Sequence, residues 1–176
     1  SKKIIVWGIQ PYKNTRDAVT YIRCPNEHDL ILEFMSFWTK NYPDVVTGWN
    51  TDFFDIPYLA NRINQVCGES KMKELSPWGN VSSRKIYSMG RNHLMYDIMG
   101  VSQYDYLQLY QKFTYTKQES YKLDYIAQVE LGEKKDENPY ETFREWYEND
   151  FQSFVDYNIQ DVEIVDKLED KMGLID

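Results

Sequence analysis

The chain has 176 residues, a length that fits one domain with a hydrophobic core, residues 1–176, rather than two. It carries 20 Lys and Arg against 28 Asp and Glu, and this net charge of −8 argues against a broad basic surface for duplex DNA. With 42% hydrophobic residues, 16% aromatic residues and 8 Gly, the composition excludes a disordered chain, a collagen-like repeat and a flexible linker.

No apolar run approaches the roughly 18 residues that a membrane helix needs, and the first residues lack the apolar segment of a secretory signal. Cys24 and Cys67 are isolated, with only His28 and His93 elsewhere, so a structural zinc site is not expected. Two buried thiols are typical of a reducing compartment. The sequence therefore predicts a cytoplasmic protein with no membrane partner.

The first 43 residues predict a β-hairpin followed by a helix. Residues 4–9 and 18–23 are β-rich runs, and the polar segment 13–17 is expected to turn between them. Asn26 can cap a helix that ends near residues 41–43. Its apolar residues at helical spacing are Leu30, Ile31, Phe34, Phe37 and Trp38.

Residues 44–66 predict a strand, a loop and a helix. The run 44–49 (DVVTGW) is typical of a buried strand, and Tyr58, Leu59, Ile63 and Val66 then recur at helical spacing.

The second half of the chain is mostly helical in pattern. A second hairpin is expected from strands 84–89 and 93–97, with Arg91 and Asn92 in the turn. This order of elements favours an α/β to α+β fold. Helices are predicted over residues 104–113, 122–130, 140–147 and about 151–172.

The last helix places a carboxylate among apolar side chains. At about 100° per residue, Asp161 lies inside an apolar stripe, where a bare charge is costly unless it is hydrogen-bonded, paired or metal-bound. Tyr157, four residues earlier, shares that face. A helix tilted so that Asp161 reaches water is the alternative. The stripe is Phe154, Asn158, Asp161, Val165, Leu168 and Met172, with Tyr157 and Ile164 at its margin.

The loop that follows the strand at 44–49 is the second candidate region. Ligands bind at the carboxyl ends of strands in open α/β sheets, and this loop contains Asp52 and Asp55. Asp55, two residues before Pro57, is more readily explained as a helix N-cap than as a ligand. Asp52 competes with it for either task.

Together the two regions resemble family B DNA polymerases. Asn50-x-x-x-Phe54-Asp55 resembles the second exonuclease motif of that family, and Tyr157-x-x-x-Asp161 resembles the third. Other segments, in the same order, look like the polymerases of tailed phages of the T-even type, and the similarity covers about residues 26–168. These segments are VTGWN at 46–50, IPYLANRI at 56–63, SYKL at 120–123 and LGEKK at 131–135.

The resemblance implies a 3′-to-5′ proofreading exonuclease domain with an α/β, ribonuclease H-like (DnaQ-like) fold. In that family two divalent ions about 4 Å apart flank the scissile phosphate, and oxygen ligands suit Mg²⁺ or Mn²⁺. The implied partners are the single-stranded 3′ end of DNA and the remainder of the polymerase chain. A phage-encoded protein would act in the cytoplasm of its host.

The resemblance also gives expected roles to individual residues. Asp55 and Asp161 would be metal ligands, Asp55 directly or through water, and Tyr157 would orient the attacking water. A frayed strand can be held by aromatic stacking, for which the candidates are Phe54, Tyr115 and Tyr121. The implied DNA-binding residues are Asn50 and Phe54 in the pocket for the terminal nucleotide, Ser120 and Tyr121 on the frayed strand, and Lys135 as a charge partner.

The family's first motif, an Asp-x-Glu on a strand, is not found. Residues 1–48 contain none, and Tyr96-Asp97-Ile98-Met99 has Met99 where Glu is needed. Asp161-Val162-Glu163 has the spacing, but residues two apart on a helix point about 200° from each other. We therefore expect a fold that is incomplete at its N-terminus and an isolated chain that cleaves DNA at background rate.

Two other functions remain open. A non-catalytic structural or split-polymerase module would complete its sheet with another chain along the exposed edge of the strand at 44–49. An unrelated metal nuclease would need Asp97 or Asp105 to face Asp161, and both have ordinary loop or cap explanations.

Overall fold

The computed structural model describes residues 2–88, 90–134 and 138–175. The chain forms two compact units, the first made of residues 1–30 and 116–176 and the second of residues 31–115. Both mix helices with strands, as an α/β fold requires. In chain order the elements are β1 (Ile4–Gly8), β2 (Val19–Arg23), α1 (Glu27–Lys40), β3 (Val45–Gly48), α2 (Asp55–Cys67), α3 (Glu69–Lys73), β4 (Val81–Ser88), β5 (Arg91–Ile98), β6 (Ser102–Asp105), α4 (Tyr106–Phe113), α5 (Leu123–Leu131), α6 (Phe143–Asn149) and α7 (Phe151–Met172).

In the first unit, β1 and β2 pair in parallel, with Ile4 opposite Val19, so the expected hairpin at residues 4–23 is wrong. The connection, residues 9–18, can span about 3.3 Å per residue, enough to return past a five-residue strand and enter β2 at the same end as β1. It lies against α7, where Tyr12 donates to Asp156 at 2.6 Å. Burial and this hydrogen bond raise the pKa of Tyr12 to about 12.

The helix α7 has the predicted bounds but not the single predicted stripe. Its first half buries Phe151, Val155 and Ile159 against Val19 of β2. At about 100° per residue, Ile164 lies about 140° round the helix from Ile159, so the buried face turns in the second half. α7 also contacts α5, and packing against two partners explains why its buried face changes direction along the helix. Residues buried in the second half are Ile164, Val165 and Leu168.

In the second unit, β3 pairs in parallel with β6, and β4 pairs with β5 as the predicted hairpin. The turn lies earlier than expected, because Arg91 already pairs with Ser88 and Gly90 has φ 78°. Neither β6 nor α3 is predicted by the sequence pattern. β3 is not a buried strand: among the described residues it pairs with β6 alone, and Val45 is 39% exposed.

The cap predicted for α1 is confirmed, since the backbone N–H of Asp29 donates to Asn26 Oδ1 at 2.9 Å. The second unit forms its core from α1, α2 and β5, together with residues that follow α2 and β5. No helix within the described ranges is long and apolar enough to cross a membrane. The buried core residues of this unit are Ile31, Met35, Ile56, Ala60, Ile63, Met72, Leu75, Tyr96, Ile98 and Val101.

Candidate functional site in the exonuclease motifs

The loop between β3 and α2, residues 49–54, carries Asn50 and Phe54 of the segment that resembles the second exonuclease motif. Asn50 has φ 63°, and among the described residues it is the one non-glycine with a positive φ. Asn tolerates this left-handed conformation better than most residues. The loop closes on itself, because the N–H of Phe54 donates to the Asn50 carbonyl at 3.2 Å. The backbone of Asn50 therefore has a defined left-handed conformation within a hydrogen-bonded loop.

Asp105, the last residue of β6, fixes this loop from outside. It is 3% exposed, and Gly48 at the end of β3 lies opposite it in the parallel pair. Its Oδ1 accepts from the N–H of Asn50 at 3.0 Å, and its Oδ2 accepts from the N–H of Asp52 at 3.2 Å. The same Oδ1 accepts from the N–H of Leu107 at 3.0 Å, which makes Asp105 the N-cap of α4.

Asp52 lies within the same loop and does not cap α2. Its Oδ2 accepts from Gln108 Nε2 of α4 at 3.0 Å. Burial raises the pKa of the Asp52 carboxyl above its ordinary value, and the charge of Asp105 adds to this. A shallow cleft of about 340 Å³ borders Asp52, with the ion pair of Arg84 and Asp97 on its wall.

Asp55 is not the N-cap of α2 either. That position belongs to Phe54, which makes no side-chain cap hydrogen bond, and Asp55 is the first helical residue. An exposed carboxylate there stabilises the helix through its dipole and stays accessible to a ligand. Phe54 is 69% exposed, which leaves its ring open to stacking. Pro57 falls in the first turn, as the sequence predicts.

Tyr157 and Asp161 lie one turn apart on α7, in the other unit. The ring of Tyr157 packs on Trp146, with centroids 4.7 Å apart, and on Phe143. Asp161 is half-buried and its Oδ1 is shielded from solvent. Asn158, predicted on the same stripe, is instead exposed and donates to the Phe154 carbonyl at 2.8 Å.

The remaining predicted DNA contacts lie between α4 and α6. The hydroxyl of Ser120 accepts from the N–H of Lys122 at 3.3 Å. Tyr121 is half-buried, and its hydroxyl oxygen accepts from the N–H of Gln118 at 3.3 Å. Tyr115 is fully exposed, whereas Lys135 lies outside the described residues.

The carboxylates of the described residues do not make up a complete metal site. Over residues 2–88, 90–134 and 138–175, no three His, Cys, Asp or Glu side chains are grouped so that they could hold an ion. Asp55 and Asp161 belong to different units, and their meeting around shared cations stays a prediction.

The sequence pattern missed the role of Asp105, which it explained only as a cap. Its cap role is confirmed, but the bonds to Asn50 and Asp52 cross 55 and 53 residues of sequence. A parallel pairing of β3 with β6 brings the two strand ends together, and β6 is a short, polar run (SQYD). An acidic residue that ends such a run and directly precedes a helix is the signal that could have found it.

The chain matches the family model for the DNA polymerase family B exonuclease domain over residues 4–126, and it belongs to that family. It is 40% identical over 161 residues to the DNA-directed DNA polymerase of Enterobacteria phage T4, and 38% identical over 161 residues to that of Escherichia phage RB69. These alignments cover 91% and 90% of this chain but 18% of each relative. The DNA polymerase delta catalytic subunit of Candida albicans is 33% identical over 118 residues, which cover 63% of this chain and 11% of that protein. The T-even resemblance is thereby confirmed.

Proposed function

We propose that this chain is part of a 3′-to-5′ proofreading exonuclease with a ribonuclease H-like fold, which removes mispaired 3′-terminal nucleotides. The observation that carries the proposal is the motif loop: Asn50 has a fixed left-handed backbone, and Phe54 presents an exposed ring one residue before Asp55. An amide and an aromatic face beside a carboxylate can bind a terminal nucleotide by hydrogen bonding and stacking.

The other motif residues take complementary tasks in this proposal. Tyr157 orients the attacking water, while Ser120 and Tyr121 contact the frayed strand, with Lys135 as a charge partner. The half-burial of Tyr157 against Trp146 supports a hydroxyl with a restricted position. A single-stranded substrate suits a chain with a net charge of −8, because stacking and local contacts replace a broad basic face.

We also propose Mg²⁺ or Mn²⁺ as the cofactor of the complete domain, with Asp55 and Asp161 among the ligands. Two such ions would activate a water and stabilise the leaving 3′ oxygen. Asp-x-Glu occurs in this sequence only as Asp161-Val162-Glu163, on a helix, where the two carboxylates diverge. The chain alone should therefore cleave at background rate and act together with the remainder of a polymerase. We propose the reducing cytoplasm as its compartment, since the sequence contains two isolated cysteines, Cys24 and Cys67.

A chimera tests the proposal. The 161-residue matched segment of the phage T4 relative is replaced by the corresponding part of this chain, and a 5′-labelled single strand is followed with Mg²⁺ present. We expect shortening from the 3′ end, reduced on the order of 100-fold or more by Asp55→Ala or Asp161→Ala. Asp166→Asn, an exposed change on the same helix, is the matched control and should keep full activity.

Two results would contradict parts of this proposal. Cleavage by the chimera that neither Asp55→Ala nor Asp161→Ala affects would refute the nuclease site. Robust cleavage by the 176-residue chain alone, lost in Asp161→Ala, would refute the expected inactivity while keeping the site.

A second candidate function is a non-catalytic module that completes its sheet with another chain. The half-exposed β3 favours it, since the described residues give this strand one partner, β6. In this case the chimera would fold and show no cleavage that depends on Asp55 and Asp161. Amide protection across 45–48 would rise when the partner chain binds.

A further inference from the structure

We infer that Asp105 is a positioning residue for the nucleotide pocket, because it fixes the loop that presents Asn50 and Phe54. The inference rests on the proposed function, since it names what holds the binding loop of the same site. Asp105 would contact neither base nor phosphate. Its task would be to give the loop one orientation before the nucleotide arrives.

The Asp105 carboxylate bonds to the loop at two points. Its two oxygens hold two different loop residues, Asn50 through Oδ1 and Asp52 through Oδ2. A planar carboxylate that accepts a hydrogen bond at each oxygen fixes the orientation of the loop as well as its position. Hydrogen bonds to an ionised acceptor are roughly twice as strong as neutral ones. Because the group is 3% exposed, water competes weakly for these N–H donors.

The backbone of Asn50 has a conformation that needs support from its surroundings. A non-glycine residue at φ 63° is in a sparsely populated conformation, which persists only where the surroundings specify it. The bond from its N–H to Asp105 Oδ1 is such a specification. Without it, the residue could relax toward negative φ and carry its side-chain amide to another place. The loop's shape therefore depends on the carboxylate.

Asp105 also links the loop to buried residues of α4. Oδ1 also caps α4, whose Tyr106 and Tyr110 are fully buried. Both rings lie near Trp49, at centroid distances of 6.5 and 5.9 Å, and Trp49 directly precedes Asn50. The loop therefore contacts α4 and its N-cap at two places. Trp49 lies near the α4 tyrosines, and Asn50 and Asp52 bond to Asp105. This is the arrangement expected for a pre-organised binding loop.

The test compares Asp105→Asn with the unaltered 176-residue chain. The probe is a fluorescein-labelled oligo(dT) in EDTA, with either a natural or an abasic 3′-terminal residue, and Kd is measured by anisotropy. The natural end should bind at least about fivefold tighter to the unaltered chain, as stacking of one base implies. In Asp105→Asn one carboxylate oxygen becomes a donor, so the bond from Asp52 is lost, and the ratio of the two Kd values should fall to about 1.

Hydrogen exchange gives a second readout in the same variant. The amide of Asp52, which bonds to the replaced oxygen, should lose protection, while that of Leu107 keeps it, because Asn retains the other oxygen and is also a good N-cap. Asp150→Asn is the matched control: Asp150 caps α7 through the N–H of Ser153 and should leave the Kd ratio unchanged. If Asp105→Asn does not fold, Asp105→Ser replaces it, since Ser caps the helix but is too short to hold the loop.

Each outcome is decisive. A Kd ratio that persists in Asp105→Asn overturns the inference and leaves the proposed function standing. An unaltered chain with no preference for the natural 3′ end overturns the nucleotide pocket that the proposed function places at Asn50 and Phe54, and this inference with it. A lower melting temperature with an unchanged ratio in folded protein likewise overturns the inference, because Asp105 would then stabilise the fold without positioning the loop.

Discussion

Two loops that each follow a glycine at the end of a parallel strand are held in opposite ways. After Gly8, residues 9–18 lie on α7 through several exposed or half-buried contacts: Tyr12 with Asp156, Lys13 with Gln152 and Arg16 with Glu163. After Gly48, residues 49–54 depend on one buried carboxylate, Asp105. Distributed surface bonds tolerate single losses. A single buried carboxylate gives the loop a better-defined conformation, but one substitution can disrupt it.

The largest expected effect is that of Asp105→Ala. It leaves the N–H groups of Asn50, Asp52 and Leu107 without their buried acceptor and removes a helix cap, so we expect a loss of about 3 kcal/mol in the free energy of unfolding. Urea unfolding measures it. Asp150→Ala, which removes a cap without a loop contact, should cost about 1 kcal/mol. Equal losses in the two variants would break the comparison.

Gly48→Ala should follow, at about 1–3 kcal/mol. A Cβ on Gly48 would lie 2.6 Å from Thr51 Cγ2, and Thr51 is 6% exposed, so its side chain has little room to move. The double variant Gly48→Ala/Thr51→Ser removes that methyl group and should recover most of the loss. Additive losses in the cycle would mean that Thr51 is not the obstacle.

Arg16→Gln tests the other loop and should cost between about 0 and 1 kcal/mol. The bond of Arg16 to Glu163 is 2.9 Å long, but the two side chains are 38% and 36% exposed, so water and salt screen it. A cycle with Glu163→Gln, repeated at high salt, measures the coupling. A loss as large as that of Asp105→Ala would show that the loop on α7 also depends on a single bond.

Asp52→Asn should have the smallest effect and the opposite sign. The pKa of Asp52 is raised in the folded chain, so its folded form binds a proton more tightly than the unfolded form does. Its stabilising contribution is complete below the ordinary value of 3.8 and is lost as pH rises through the raised pKa. Asn avoids this loss and still accepts from Gln108, so the variant should melt slightly higher at pH 7. At pH 3 the difference should vanish, and a difference independent of pH would exclude this cause.

The sequence predicts well what depends on local pattern. Asn26 caps α1 as expected, and α7 begins and ends at the predicted residues. The pattern fails where the partner is distant: β1 pairs in parallel with β2, and the connection between them contacts α7, more than 130 positions away. For the candidate site, the motif identifies Asn50 and Phe54 but contains nothing about Asp105, because a short polar strand carries little hydrophobic signal.

The parallel register that sets Gly48 opposite Asp105 also has a kinetic consequence. Asn50 and its acceptor Asp105 are 55 residues apart, and α2 and the β4–β5 hairpin lie between them in the chain. This contact can therefore form only after the intervening chain has become compact enough to bring its two ends together. Non-local contacts of this kind form slowly because loop closure costs entropy before the contact stabilises anything. In pulse-labelling during refolding, the amides of Asn50 and Asp52 should therefore become protected after those of α2, making the loop at residues 49–54 one of the last parts of its unit to form.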